Sequence, residues 1–163
     1  MELKKSFDFH RLFVFLYIFA FLVYIIYGLV PVAATNYDVS AKVEIPAINL
    51  ISDVATLKLE AHALYTPDNI VGSFSRIKDT TLLIGHSTTI FKDLAKLNVG
   101  DEVFYDFKKY VISKKDYIKK EEIDMDKLLK SNGFDSIILM TCAGELYDDG
   151  DASHRLILTA KVE

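Results

Sequence analysis

The chain has 163 residues, 51% of which are hydrophobic, and a formal net charge of −4 at pH 7. This length suits one modest domain with an appendage. The negative charge argues against nucleic acid as a partner, because no basic patch stands out. The single cysteine excludes an internal disulfide framework, and its thiol is a candidate for chemistry or for a buried packing role.

The excess of hydrophobic residues is concentrated near the N-terminus. Residues 12–30 contain no charged side chain. As a helix this stretch is roughly 28 Å long, close to the hydrocarbon thickness of a bilayer. We therefore predict one N-terminal transmembrane helix over residues 12–34. A cleaved signal peptide is the alternative, because small residues follow the apolar run, but the run is longer than the usual apolar region of such a peptide.

The charges beside the predicted helix set its orientation. Three basic residues precede it, namely Lys4, Lys5 and Arg11. The positive-inside rule then places residues 1–11 in the cytoplasm and the chain after the helix outside the cell. We predict a single-pass protein of the cell membrane with a linker over residues 35–41. An extracellular domain follows over residues 42–163.

The first part of the extracellular domain contains two predicted strands and a predicted helix. Residues 42–46 alternate and stop at a proline, as a first strand does, and residues 47–51 continue as a short second strand. Ser52 is expected to cap a short helix that ends near residue 64, because apolar residues recur at the spacing of one helical face. Residues 66–69 carry a turn signal.

The middle of the domain alternates between short strands and connections. Residues 80–84 form a short apolar run that predicts a buried strand. Apolar residues at three-residue spacing predict a short helix over residues 91–97. Residues 102–105 and 109–113 alternate as a pair of strands. The charges of residues 114–130 are mixed in sign, so we predict a solvated connection with a short helix.

Two further strands complete the pattern. Residues 135–141 predict another buried strand, which leads directly into Cys142, and residues 154–162 predict the last strand. The total is seven or eight short strands with short helices between them. This pattern favours an all-β barrel or sandwich over alternating βαβ units.

Three side chains with useful chemistry stand beside predicted strands. His86 follows the strand at residues 80–84, Cys142 follows the next buried strand, and Arg155 begins the last one. A thiol is a nucleophile as its thiolate, and a nearby imidazole can promote ionisation and protonate a leaving amine. A guanidinium can face the oxyanion of a tetrahedral intermediate. If the three strands are neighbours, these groups suffice for acyl transfer at an amide.

Four short stretches form an ordered set of motifs: Ile45-Pro46-Ala47-Ile48, Leu83-Ile84-Gly85-His86-Ser87, Leu139-Met140-Thr141-Cys142 and Arg155-Leu156-Ile157-Leu158-Thr159-Ala160. Together they resemble, in order, the signature blocks of the sortase family. Their order and approximate spacing match over residues 42–163. Ile138 stands where the family carries a threonine, a difference expected to affect packing and not chemistry. Ser87 follows the histidine where many members carry arginine, and this difference leaves the subclass open.

The resemblance implies an eight-stranded sortase-like β-barrel that acts as a cysteine transpeptidase. Cys142 would attack the bond between Thr and Gly of an LPXTG-like sorting signal on a surface protein and form a thioester. An amine of a cell-wall precursor or another surface protein would then resolve it. His86 would be the acid–base partner and Arg155 would steady the substrate or the oxyanion. The alternatives are a membrane-anchored cysteine protease or hydrolase, in which water resolves the thioester, and a non-catalytic binding module.

Other polar and small residues near these blocks are secondary candidates. Thr141, Ala143 and His62 are candidates for substrate contacts, although packing is the simpler role for Thr141 and packing or surface exposure for His62. The acidic loop after Cys142 contains three weak calcium candidates, Asp148, Asp149 and Asp151. We interpret this loop as solvated, with calcium binding as the alternative, and the thiol chemistry requires no cofactor.

Overall fold

The computed structural model describes residues 13, 16–22, 37–60, 63–77, 79–130, 133–148 and 151–163. The chain divides into two compact units, Met1–Asn36 and Tyr37–Glu163. In the first unit, residues 16–22 are helical. Most of the predicted transmembrane helix at residues 12–34 lies outside the described residues. Among the helices that are described, none has the length and apolar character needed to span a bilayer.

The second unit is organised around a closed barrel of eight strands. In chain order the described strands are β1 Val39–Ile45, β2 Leu50–Thr56, β3 Leu59–Glu60, β4 Ala63–Leu64, β5 Val71–Ile77, β6 Thr80–Ile84, β7 Glu102–Tyr105, β8 Lys108–Lys119, β9 Ser136–Leu146 and β10 Ala152–Val162. Around the barrel the order is β1-β2-β5-β6-β9-β10-β8-β7, while β3 and β4 pair separately. The predicted all-β, eight-stranded barrel is confirmed.

The helices of this unit are short, as predicted. Three 3₁₀-helices and one α-helix are described, at Pro46–Ile48, Leu94–Lys96, Lys120–Glu122 and Met125–Leu128. The α-helix begins after Asp124, whose carboxylate accepts a hydrogen bond from the main-chain N–H of Lys127 at 3.0 Å. The helix predicted over residues 91–97 is reduced to turns and one 3₁₀ turn.

The predictions for residues 47–64 are wrong in two respects. Residues 47–49 do not form a strand, because a proline starts a 3₁₀ turn there and Asn49 adopts a left-handed φ of 51°. The helix predicted from Ser52 is β2 instead. Leu50, Ser52 and Val54 are buried while their neighbours at 51 and 53 are exposed, which is the period of a strand. The apolar spacing that indicated a helix was coincidental.

The charged stretch after residue 113 is also different from its prediction. Residues 114–119 continue β8 and pair with β10, with Lys114 opposite Thr159 and Lys119 opposite His154. β7 pairs with β8 only as far as Val111. Among the described residues, no other strand pairs with the free side of residues 114–119. Lysines are typical of such edges because they discourage pairing with other chains.

Alternation along the strands separates two apolar clusters. In β9, Ile137 and Leu139 belong to the main core, which draws residues from every strand of the barrel and fills its interior. Ile138 and Met140 belong to a second cluster on the outer face, which includes Leu129 beside the short α-helix. The candidate site lies on the outer face of β6, β9 and β10.

Candidate active site

The position of His86 is set by the pairing of β6 with β9. These strands are parallel, with Ile84 opposite Met140. The main-chain N–H of Gly85 then donates to the carbonyl of Met140 at 3.3 Å. Because the two strands run in the same direction, His86 and Cys142 each follow this aligned pair by two residues. They therefore emerge at the same level of neighbouring chain segments.

Cys142 faces Arg155 across the β9–β10 pair. The two residues are directly opposite in the register, so their side chains project from the same face of the sheet. Cys142 is partly exposed and its thiol is free. The prediction that both residues stand at strand ends is wrong, because β9 continues to Leu146 and β10 begins at Ala152. Both residues therefore lie within the paired part of the β9–β10 hairpin and not in loops.

His86, Cys142 and Arg155 line one groove on the outer face of the barrel. Its volume is about 440 Å³, within the usual range for a ligand site. Its walls are mostly apolar and come from the β3–β4 pair, from β5, β6 and β9 and from the region of the short α-helix. The apolar lining residues are Leu59, Leu64, Phe74, Ile84, Met125, Leu129 and Met140. The apolar walls of such a groove can accommodate an extended chain with apolar side chains. His86, Cys142 and Arg155 supply the polar groups for chemistry.

The loop before β5 holds the imidazole of His86. Its Nε2 lies 3.2 Å from the carbonyl oxygen of Thr66 and 3.8 Å from a carboxylate oxygen of Asp68. A carbonyl only accepts hydrogen bonds, so Nε2 carries the proton and donates it. The ring nitrogen left for proton transfer is therefore Nδ1. The sequence marked this loop only as a turn, and nothing in its composition indicated contact with His86.

The guanidinium of Arg155 is fixed by the start of its own strand. Its Nη1 donates to the carbonyls of Ala152 and His154 at 2.9 and 3.0 Å. Its Nη2 donates to Asp151 at 2.6 Å. Asp151 also binds Lys120. The Lys120 ammonium, the Ala152 N–H and the Arg155 guanidinium hold the pKa of the Asp151 carboxyl well below its usual value.

Thr141 ties the strand that carries Cys142 to the segment that carries His86. Its side chain is 4% exposed, and its hydroxyl donates to the carbonyl of Gly85 at 2.7 Å. Gly85 itself has no room for a side chain, because an added Cβ would lie 2.7 Å from the ring of Phe91. The hydrogen bond therefore joins the residue before Cys142 to the residue before His86. Thr141 also borders the groove, so its predicted substrate contact stays a prediction.

Three of the other five sequence candidates, Ala143, Asp148 and Asp151, are among the described residues. Ala143 packs against the interior core, on the face opposite Cys142. His62 and Asp149 lie outside the described residues. Asp148 is exposed, and Asp151 is engaged by two cations. In the described part of the loop and of the chain as a whole, no three acidic, histidine or cysteine side chains come together in a way that could hold a metal ion.

His154 precedes Arg155 in β10 and is a second histidine close to the site in sequence. Arg155 lines the groove, whereas His154 does not. The Nδ1 of His154 lies 2.8 Å from the hydroxyl of Ser153. Alternation along a strand explains the difference. The residue that sequence reasoning missed here is Asp151, which it considered only as a calcium candidate.

The barrel and its groove define the class of protein, a β-barrel enzyme with a thiol, an imidazole and a guanidinium in one cleft. The model of the sortase domain matches residues 33–163. The chain belongs to the sortase family. It is therefore a cysteine transpeptidase by family and fold.

Solved structures with the same fold come from several sortase classes. A lid mutant of sortase A from Corynebacterium diphtheriae has a TM-score of 0.61 and 22% identity, covering 80% of this chain and 73% of that one. Sortase C-1 from Actinomyces oris has a TM-score of 0.60 and 27% identity, covering 77% and 72%. A sortase D5 transpeptidase from Clostridium perfringens has a TM-score of 0.59 and 22% identity, covering 77% and 79%. A search of curated protein sequences finds no match.

Proposed function

We propose that the chain cleaves an LPXTG-like sorting signal through a thioester on Cys142 and transfers the acyl group to an amine. The observation that carries this proposal is the shared groove, in which Cys142 faces Arg155 across β9 and β10 while His86 emerges at the same level. The apolar walls fit an extended peptide, and the polar groups fit its scissile amide.

The first half of the reaction breaks the amide bond between Thr and Gly of the signal. The Cys142 thiolate attacks the Thr carbonyl carbon, and negative charge develops on the carbonyl oxygen. The N–H donors of Arg155 stabilise that oxygen or hold the adjoining peptide carbonyl. His86, as an imidazolium, protonates the leaving glycine nitrogen as the tetrahedral intermediate collapses. The products are a thioester on Cys142 and a free amine.

The second half transfers the acyl group. A neutral amine of a cell-wall precursor or another surface protein attacks the thioester carbonyl and loses its proton to His86 through Nδ1. The new amide forms and the thiolate of Cys142 leaves. The partners are then surface proteins that carry a sorting signal and the acceptor amine. The enzyme acts at the outer face of the cell membrane, held there by residues 12–34, with residues 1–11 in the cytoplasm.

The discriminating experiment incubates the protein with a sorting-signal peptide, with and without glycine peptides or a lysine analogue as acceptor. We expect a ligated product whose yield rises with the acceptor concentration, at the expense of hydrolysed peptide. Cleavage that is unaffected by added amine, without ligated product, would favour the alternative of a cysteine hydrolase. We expect excess EDTA to leave the transpeptidation rate unchanged, because the thiol, the imidazole and the guanidinium suffice for the chemistry. If EDTA lowers the rate and Ca²⁺ restores it, the acidic loop has a role in calcium binding.

A further inference from the structure

Asp151 connects the end of β8 to the start of β10, beside Arg155. Its Oδ1 accepts hydrogen bonds from the main-chain N–H of Ala152 at 2.8 Å and from Nη2 of Arg155 at 2.6 Å. Its Oδ2 accepts a hydrogen bond from the ammonium of Lys120, which follows β8 directly. The carboxylate thus joins the end of β8 to the start of β10, and through β10 to the arginine opposite Cys142.

The arginine that this carboxylate holds is ordered by three hydrogen bonds. An arginine side chain has five N–H donors, and those to Asp151 and to the carbonyls of Ala152 and His154 use three of them. Its side chain is only 15% exposed. The other two donors have no acceptor among the described residues, and the groove that Arg155 lines is where a substrate would supply one.

We propose that Asp151 is a positioning residue for acyl transfer, which fixes the Arg155 guanidinium so that its two unused donors face the substrate in the groove. This inference rests on the proposed function of Arg155. Without the carboxylate, the long arginine side chain would lose its one charged anchor and keep only two carbonyl acceptors. Preorganised donors stabilise a developing oxyanion because they need no rearrangement during the reaction.

The role proposed for Asp151 does not change with pH near neutrality, because its carboxyl group stays ionised there. Its three donors keep the carboxyl ionised well below neutral pH by lowering its pKa. The Asp151→Asn variant keeps the size of the side chain, removes its charge and weakens the bond to Nη2. Small displacements of a reacting group can cost up to about a hundredfold in rate. We expect kcat/KM for transpeptidation to fall about tenfold to a hundredfold, mainly in kcat.

The test compares Asp151→Asn with two further variants and one control. Asp151→Glu restores the charge and is expected to recover part of the rate. Asp148→Asn removes an exposed acid from the same loop and is expected to stay within about twofold of the parent rate. In an Arg155→Ala background, Asp151→Asn should have no further effect on the rate, since the two residues act as a unit. Iodoacetamide labelling of Cys142 at the parent rate, with a cooperative thermal transition, shows that each variant is folded.

The outcomes separate this inference from the function on which it depends. If Arg155→Ala retains full rate, the role of Arg155 fails and the inference fails with it. If Arg155→Ala loses the rate while Asp151→Asn keeps it, only the inference is wrong. An equal loss from Asp151→Asn in the presence and absence of Arg155 would also overturn it, because the carboxylate would then act by another route.

Discussion

The hydrogen bond from Thr141 to Gly85 gives the sharpest prediction about how the site is held together. In Thr141→Val a methyl group replaces the hydroxyl with little change in volume. The 2.7 Å hydrogen bond is lost at a position that is 4% exposed, and the carbonyl of Gly85 loses its side-chain donor. Leaving a buried polar group unsatisfied costs about 1–3 kcal/mol. We expect the free energy of unfolding to fall by about that amount.

The same substitution should lower activity as well as stability. Gly85 immediately precedes His86, so loss of the bond loosens the imidazole relative to Cys142. We expect kcat/KM for peptide cleavage to fall about tenfold, which corresponds to about 1.4 kcal/mol of transition-state stabilisation. Urea unfolding followed by circular dichroism measures the first effect. Cleavage of a fluorogenic sorting peptide at a temperature at which both proteins are folded measures the second.

A matched variant on the neighbouring strand separates this bond from a general effect of threonine on β-structure. Thr159 lies in β10, and its carbonyl, not its hydroxyl, accepts a bond from Ser113. Thr159→Val should change stability by less than about 0.5 kcal/mol and leave cleavage unchanged. If Thr141→Val behaves like Thr159→Val, the bond contributes nothing measurable. If it loses stability but keeps full activity, the proposed coupling to His86 is wrong.

Three other predictions follow from the described contacts. Gly85→Ala places a Cβ 2.6 Å from Ile90 and 2.7 Å from Phe91, so it should cost about 1–3 kcal/mol of stability and impair thioester formation, measured by urea unfolding and intact mass. Leu129→Ala removes a side chain that is 2% exposed and lines the groove, so it should cost about 2–5 kcal/mol and raise KM for the peptide. Asp151 has a lowered pKa, so its contribution to stability should be complete above its unfolded value near 3.8 and decline as the pH falls further. Urea unfolding of the parent and Asp151→Asn should therefore differ more at pH 6 than at pH 3.

Two of these predictions have a control variant. Leu146→Ala in β9 removes a leucine that is 64% exposed, and should leave both stability and KM nearly unchanged. Asp148→Asn removes an exposed acid from the same loop and should change the free energy of unfolding by less than about 0.5 kcal/mol. A larger parent-to-Asn difference at pH 3 than at pH 6 for Asp151 would reverse the expected sign. Full thioester formation by Gly85→Ala would show that His86 tolerates displacement.

The barrel was largely predictable because its strands carry strong local patterns. The runs at 80–84 and 135–141 are rich in apolar and β-branched residues. Their hydrophobicity and their β-propensity therefore both predict a buried strand. The errors arose where local pattern and tertiary pairing disagree. β2 has apolar residues that also satisfy a helical spacing, and only its pairing with β1 and β5 decides the outcome. Residues 114–119 look solvated by charge, yet their main chain pairs with β10.

The candidate site was predictable in its members but not in its support. The order of the motif blocks pointed to His86, Cys142 and Arg155, and the register then brings the last two face to face. Thr66 precedes His86 by 20 residues, and their contact depends on how the loop before β5 folds against the barrel, which short-range propensity does not indicate. Asp151 is only four residues from Arg155, but the composition of its loop indicated solvation or calcium binding and not an ion pair with the arginine.

The most direct test of the account is the intact mass of the enzyme after incubation with an LPXTG-like peptide. The parent protein should gain the mass of the acyl fragment that ends in Thr, on the tryptic or chymotryptic peptide that contains Cys142. Addition of an amine acceptor should remove that mass and release a ligated product, while Cys142→Ala should never gain it. An acyl adduct on Cys142→Ala, or parent cleavage without any adduct at Cys142 under rapid quench, would contradict a thioester mechanism at this cysteine.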